Sequence, residues 1–172
     1  MLEIATMETV ETVTKSDTKT LFVFFIDPAT TESEIRVPAV YRFHLKLSDK
    51  WKLEVHDGRC IVLAPPVRPT LPPAIRTDGM EKKTEAGWLR FNASENLTQL
   101  ERDLTPTLEK RAGAHILIPG VRDNCRRSVA KFVQKWILQN HSGASPAIKD
   151  IVVIFPDEPA VKDPRAAAAT MQ

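Results

Sequence analysis

The chain has 172 residues, with 24 Lys plus Arg against 22 Asp plus Glu, 42% hydrophobic residues, 13 Pro and 6 Gly. A chain of this size buries about 70% of the surface its unfolded form exposes, so it needs no metal or disulfide scaffold, and the composition excludes collagen, long coiled coil and a wholly disordered protein. The formal charge of +2 is too small to mark a nucleic-acid or membrane-surface binder by itself.

Leu2, Ile4 and Thr6 alternate with Glu3, Ala5 and Met7, the period of a half-buried strand. Residues 20–26 (TLFVFFI) are apolar on both faces, as in a strand covered on both sides. Their six residues from Leu21 to Ile26 are also the longest apolar run. That is far below the roughly 20 residues a membrane-spanning helix needs. With no longer apolar stretch near the start, neither an anchor nor a secretory signal is expected. Over residues 37–47, Val37, Ala39, Tyr41, Phe43, Leu45 and Leu47 form a core face, while Arg42, His44 and Lys46 face water. Strands over 51–56 and 59–64 meet across Asp57-Gly58, the pair suited to a two-residue turn because both positions need positive φ. That register sets His56 opposite Arg59, Val55 opposite Cys60 and Leu53 opposite Val62. Cys60 then joins Trp51, Leu53 and Val55 on the apolar face.

Residues 65–77 hold five of the prolines. Missing donors and fixed φ predict an extended, polyproline-like connector along a sheet edge. Pro66 to Pro69 and Pro69 to Pro72 also match the PxxP spacing of ligands for SH3-type partners, though such ligands belong to free tails more than to segments between ordered elements. A charged turn over 78–85 and a short strand over 87–91 follow. The period then changes. Leu97, Leu100, Leu104 and Leu108 lie three and four apart after Asn92 or Ser94 as cap and Glu95 in the first turn, predicting an amphipathic helix that Pro106 kinks or restarts and Gly113 ends.

A second helix is predicted from Pro119 to Asn140. Val121, Cys125, Val129, Phe132, Val133 and Trp136 share its core arc. Arg127, Lys131 and Lys135 lie opposite. Arg122 and Arg126 sit on the margin, where stems cover apolar surface and guanidinium groups reach water or a carboxylate. Residues 148–155 supply a last strand. The expected architecture is α+β: a mainly antiparallel sheet, two helices in the C-terminal half packed on one face, and a final strand. A single domain over 1–157 and a disordered tail over 158–172 complete it.

No glycine-rich phosphate loop, GxSxG elbow, HExxH motif or calcium loop occurs, and Cys60 and Cys125 lack zinc-ligand spacing. Neither catalytic residues nor a cofactor or metal are expected. The histidines at 44, 56, 115 and 141 are scattered, with His44 and His56 placed on polar strand faces. Cys125 beside Arg126 and Arg127 is either a thiolate held by positive charge or, as its arc favours, a buried thiol. The second helix carries five cations, Arg122, Arg126, Arg127, Lys131 and Lys135, against Asp123, so it holds +4 while the rest of the chain holds −2. It is either a solvated outer face or a docking surface for lipid headgroups, an acidic protein or nucleic acid. A second basic surface would be the wet side of the sheet, with Arg42, His44, Lys46, Lys52, His56 and Arg59. The sequons at Asn92, Asn96 and Asn140 matter only in a secretory pathway.

The segments LEIAT at the start, VYRFHLKL around Tyr41, WKLEVHDGRCIVLAPPVRPTLPPAI, and RRSVAKFVQKWI followed by IKDIVVIFPDE resemble a bacterial family known as domain of unknown function 4230, over residues 1–158. The resemblance implies an α+β domain found at the cell envelope, often behind an N-terminal membrane anchor that this sequence lacks. It brings no catalytic residues. The leading expectation is therefore a non-enzymatic interaction or scaffold module of the bacterial envelope. Its partner would be a protein, or a second copy joined through residues 21–26, with an anionic membrane surface next and nucleic acid disfavoured. The alternative is an anion-binding module using Arg122, Arg126, Arg127, Lys131 and Lys135. A third, a small enzyme built around Cys125, would be removed by a fully buried, inert thiol.

Overall fold

A computed structural model of the chain describes residues 1–19, 29–86, 93–140 and 148–158. The element order is β1 (Leu2–Lys19), β2 (Ala29–Leu45), β3 (Lys52–His56), β4 (Arg59–Leu63), β5 (Arg68–Ile75), β6 (Glu81–Ala86), α1 (Ala93–His115), α2 (Pro119–Asn140) and β7 (Asp150–Ile154). The fold is α+β with mostly antiparallel pairing, two helices in the C-terminal half and a final strand. The chain packs as two compact units. One comprises residues 1–6, 42–70 and 115–172, the other residues 7–41 and 71–114, so that β1, β2 and β5 contribute to both. The strands expected over 20–26 and 87–91 lie outside the described residues, as do Asn92 and the chain beyond 158.

In one sheet β1, β2 and β5 are hydrogen-bonded in that order, and β6 pairs antiparallel with β2, from Thr31 opposite Ala86 to Arg36 opposite Glu81. The alternation read in β2 holds, with Val37, Ala39, Tyr41, Phe43 and Leu45 buried, and Ile35 before them is buried too. It extends back through Thr31 and Ser33, also buried. Leu47 breaks it, being exposed in the turn that follows the strand. β1 runs far beyond residue 7 because Thr9, Val10, Thr12, Val13 and Thr14 are β-branched and suit a pleated surface although they carry little apolar alternation.

The proline-rich segment is extended and edge-placed as expected, yet it is a paired strand, β5, and no free polyproline ligand over Pro69 to Pro72. An edge strand tolerates proline because one side of its backbone needs no partner. The charged stretch after it is likewise no simple turn. A 3-10 turn at Thr77–Gly79 leads into β6, so that β5 and β6 follow β2 one after the other. The Arg76 N–H donates to the Pro38 carbonyl at 2.9 Å. A Cβ at Gly79 would stand 2.8 Å from Pro38 Cγ, so glycine alone lets the turn approach.

In the other sheet the order is β3-β4-β7. The hairpin has the register read from sequence, from Lys52 opposite Leu63 to His56 opposite Arg59. Asp57 and Gly58 have φ of 51° and 79°. β7 pairs parallel to β4, which leaves β4 central, with Cys60, Ile61 and Val62 all buried, and β3 at the edge with Leu53 and Val55 exposed. A parallel neighbour arriving from far along the chain leaves no local signal in a hairpin.

α1 is one continuous helix through Pro106 and Gly113. Leu100, Leu104, Leu108 and Ala112 are buried at a spacing of four. The three leucines bring about 2 kcal/mol each, against a cost of about 3 for an interior proline, so packing carries the helix past it. Pro106 is exposed, where water can serve the carbonyl it leaves free. Asn96 continues the stripe in place of the half-buried Leu97; it is 1% exposed, which bars a glycan at that sequon. α1 stops as the chain reaches Pro119, which disfavours helical geometry in the residue before it.

α2 has the predicted bounds. Its core stripe is Val121, Cys125, Val129, Val133 and Ile137; Trp136, expected inside, is 46% exposed and Phe132 is half-buried. Phe132 stacks at a tilt on Trp51, ring centroids 6.0 Å apart. His44 was expected on a wet face but is buried, with Nδ1 2.9 Å from Thr70 Oγ1. Burial first, then the charges of Arg68 and Lys46, hold its pKa below the usual histidine value.

Candidate functional site

Pro119 opens α2 without wasting a donor, and the stripe from Val121 to Ile137 turns its other side outward. The five cations separate into two groups. Arg122 is 7% exposed, lies with its guanidinium carbon 5.1 Å above the Phe155 ring, and pairs with Asp157. Arg126 pairs with Glu158 and, at 2.8 Å, with Asp123. Asp157 and Glu158 come shortly after β7, whereas Asp123 belongs to α2 itself. Glu158, assigned by sequence to a disordered tail, is instead held by both arginines and accepts the Phe155 N–H at 3.2 Å.

Arg127, Lys131 and Lys135 are exposed and have no ion pair among the described residues. Arg127 donates to Asn124 Oδ1 at 2.6 Å, which steadies the guanidinium and leaves its other N–H groups available. Arg127 and Lys131, one turn apart, line two concavities. One, of about 400 Å³, is mainly polar and includes Thr6, Asn124 and Ser128. The other, of about 570 Å³, lies between α2 and β7 and includes Lys149. Lys135 lines neither. Asn124, Ser128 and Lys149 were not singled out from sequence. The first two share a helical arc with Arg127 and Lys131 and were legible there; Lys149 depends on where β7 is placed.

On the second basic surface two cations are paired and one side chain is buried, while Arg42, Lys46 and His56 are exposed. Lys52 pairs with Glu54 at 2.6 Å, Arg59 with Asp150 at 3.4 Å, and His44 is buried. The sulfur chemistry is equally constrained. Cys60 and Cys125 are free and fully buried, and burial pushes the Cys125 thiol up to about 11 despite Arg122 and Arg126 nearby. Burial raises Cys60 as well. Cys125 therefore has neither the exposure nor the lowered pKa that a reactive cysteine, as in the third sequence hypothesis, requires. Both should resist a water-soluble maleimide in the native protein and react within minutes in denaturant. Stoichiometric native labelling of Cys125, read by mass spectrometry, would contradict this.

Among the described residues no three or more His, Cys, Asp or Glu side chains group as a metal site, and no helix is long and apolar enough to cross a membrane. No protein-family model, curated protein or solved structure matches the chain.

Proposed function

We propose that the protein is a non-enzymatic interaction module of the bacterial cell envelope that docks on anionic partners through the outer face of α2. The observation that carries this reading is the division of the cations. Asp123, Asp157 and Glu158 neutralise Arg122 and Arg126, whereas Arg127 and Lys131 stand exposed beside two concavities without carboxylate partners among the described residues. Unneutralised charges one helical turn apart attract an anionic surface; paired ones do not. The envelope setting rests on the family resemblance, and headgroup phosphate is the anion that setting offers in greatest density.

The test is co-sedimentation with vesicles containing phosphatidylglycerol, with phosphatidylcholine vesicles as control. Binding should favour the anionic vesicles and weaken steeply as salt rises from about 0.05 to 0.5 M, because the Debye length shrinks several-fold. Charge reversal by Arg127→Glu, Lys131→Glu and Lys135→Glu together should abolish it. Binding that the triple variant retains would end the reading.

A further inference from the structure

The α2–β7 concavity differs from its neighbour in character. Its volume of about 570 Å³ falls within the roughly 300–1,000 Å³ range of small-ligand sites. Ile137, Leu138, Ile148 and Ile151 provide apolar walls. Leu138 is 68% exposed beside it, an orientation that brings no folding benefit to an isolated helix face. Lys149 also lines it, and Asp150, the one carboxylate among the described lining residues, is engaged by Arg59 at 3.4 Å. The adjoining polar concavity has no carboxylate among its described lining residues and offers Asn124, Ser128 and Thr6 as neutral hydrogen-bonding groups. Arg127 and Lys131 border both spaces, which makes them the point where an apolar channel meets an anion-accepting one.

We infer that this paired site takes a single-chain anionic amphiphile, with its phosphate head against Arg127 and Lys131 and its alkyl chain along the α2–β7 groove. A phosphate suits the head position better than a carboxylate. Its three terminal oxygens can accept from a guanidinium fork, an ammonium and the hydroxyl or amide groups at Ser128 and Asn124, whereas a carboxylate has two oxygens to share among them. The chain buries apolar surface that would otherwise remain wet. The inference rests on the basic-face reading and makes it more specific, from a charged surface to a lipid monomer held in a site.

The probe is dodecyl phosphate below its micelle concentration, titrated calorimetrically into the intact chain, with inorganic phosphate and the uncharged dodecyl maltoside as comparisons. Saturable one-to-one binding is expected for dodecyl phosphate, at least about tenfold tighter than for either comparison, since each half of the ligand supplies part of the affinity. Two variants at exposed positions test the halves separately. Arg127→Glu with Lys131→Glu should weaken dodecyl phosphate binding about tenfold or more, and Leu138→Glu about fivefold, with unchanged thermal midpoints confirming that both fold. Equal affinity for inorganic phosphate, or binding indifferent to Leu138→Glu, overturns the inference. Vesicle binding that needs Arg127 and Lys131, together with no uptake of dodecyl phosphate monomers, overturns it while leaving the basic-face reading standing. Loss of both removes both.

Discussion

Replacing Glu11 by alanine is expected to cost about 3 kcal/mol of stability. Glu11 is 6% exposed on β1, accepts the Tyr41 hydroxyl from β2 at 2.9 Å, and pairs with Arg111 of α1 at 2.5 Å; Arg111 also donates to the Thr12 carbonyl at 3.0 Å. One carboxylate thus joins two strands and a helix within a single compact unit. Breaking a fully buried pair costs about 3–5 kcal/mol, but the Arg111 side chain is 40% exposed and water takes up part of its charge, so the lower end applies. Glu11→Gln, which keeps an acceptor for Tyr41, should cost about half as much. Denaturant unfolding of the three proteins checks both values.

The same network predicts a pH dependence. Burial, then the hydrogen bond to Glu11 and the charge of that carboxylate, hold the Tyr41 hydroxyl well above its ordinary pKa, against a smaller opposing pull from Arg111. A folded-state value raised above the unfolded one contributes stability that is complete below the unfolded value of about 10 and is lost as pH rises toward the folded one. Stability should therefore fall steeply above about pH 10, and Tyr41→Phe should flatten that limb. Tyr41 is the sole tyrosine of the chain, so its ionisation can be followed directly by tyrosinate absorbance. Titration at the ordinary value in the native protein would contradict the network.

Phe155→Ala is expected to cost about 4 kcal/mol, the middle of the range for emptying a buried phenylalanine site. The ring is 1% exposed at the end of β7 and carries the Arg122 guanidinium on its face. Its loss leaves a cavity and also loosens an arginine whose Nη1 is already buried without a hydrogen-bond partner among the described residues. Phe155→Leu, which fills most of the volume, should cost about 1.5 kcal/mol. Unfolding free energies read by denaturant titration decide the matter, and a loss below about 1 kcal/mol for the alanine variant would show that β7 does not depend on this anchor. Because Asp157 and Glu158 continue from Phe155 onto Arg122 and Arg126, the variant should also make those carboxylates less effective in neutralising α2.

Legibility in the sequence followed the range of the interaction involved. The β3–β4 hairpin was readable to the residue, since Asp57-Gly58 sets both turn and register across a few positions. The buried face of β2 and the bounds of α2 were readable for the same reason: alternation, a helical arc and a leading proline are properties of neighbours in the chain. Where two local signals conflicted, tertiary packing chose. Pro106 argued for a break in α1, and three buried leucines overrode it. The prolines of β5 argued for an extended connector along a sheet edge, and pairing with β2 made that connector a strand.

For the candidate site the boundary is equally physical. The sequence alone determined that one helix carries the chain's excess positive charge and which five residues hold it, because charge and helical position are local. Only the tertiary structure decided which of those charges remain available. Arg122 and Arg126 meet Asp157 and Glu158, more than 30 residues away, while Arg127 and Lys131 meet none among the described residues. That outcome depends on β7 lying parallel to β4 and alongside α2, and pairing between distant segments is set by the shared core they bury together, which no short stretch of sequence encodes.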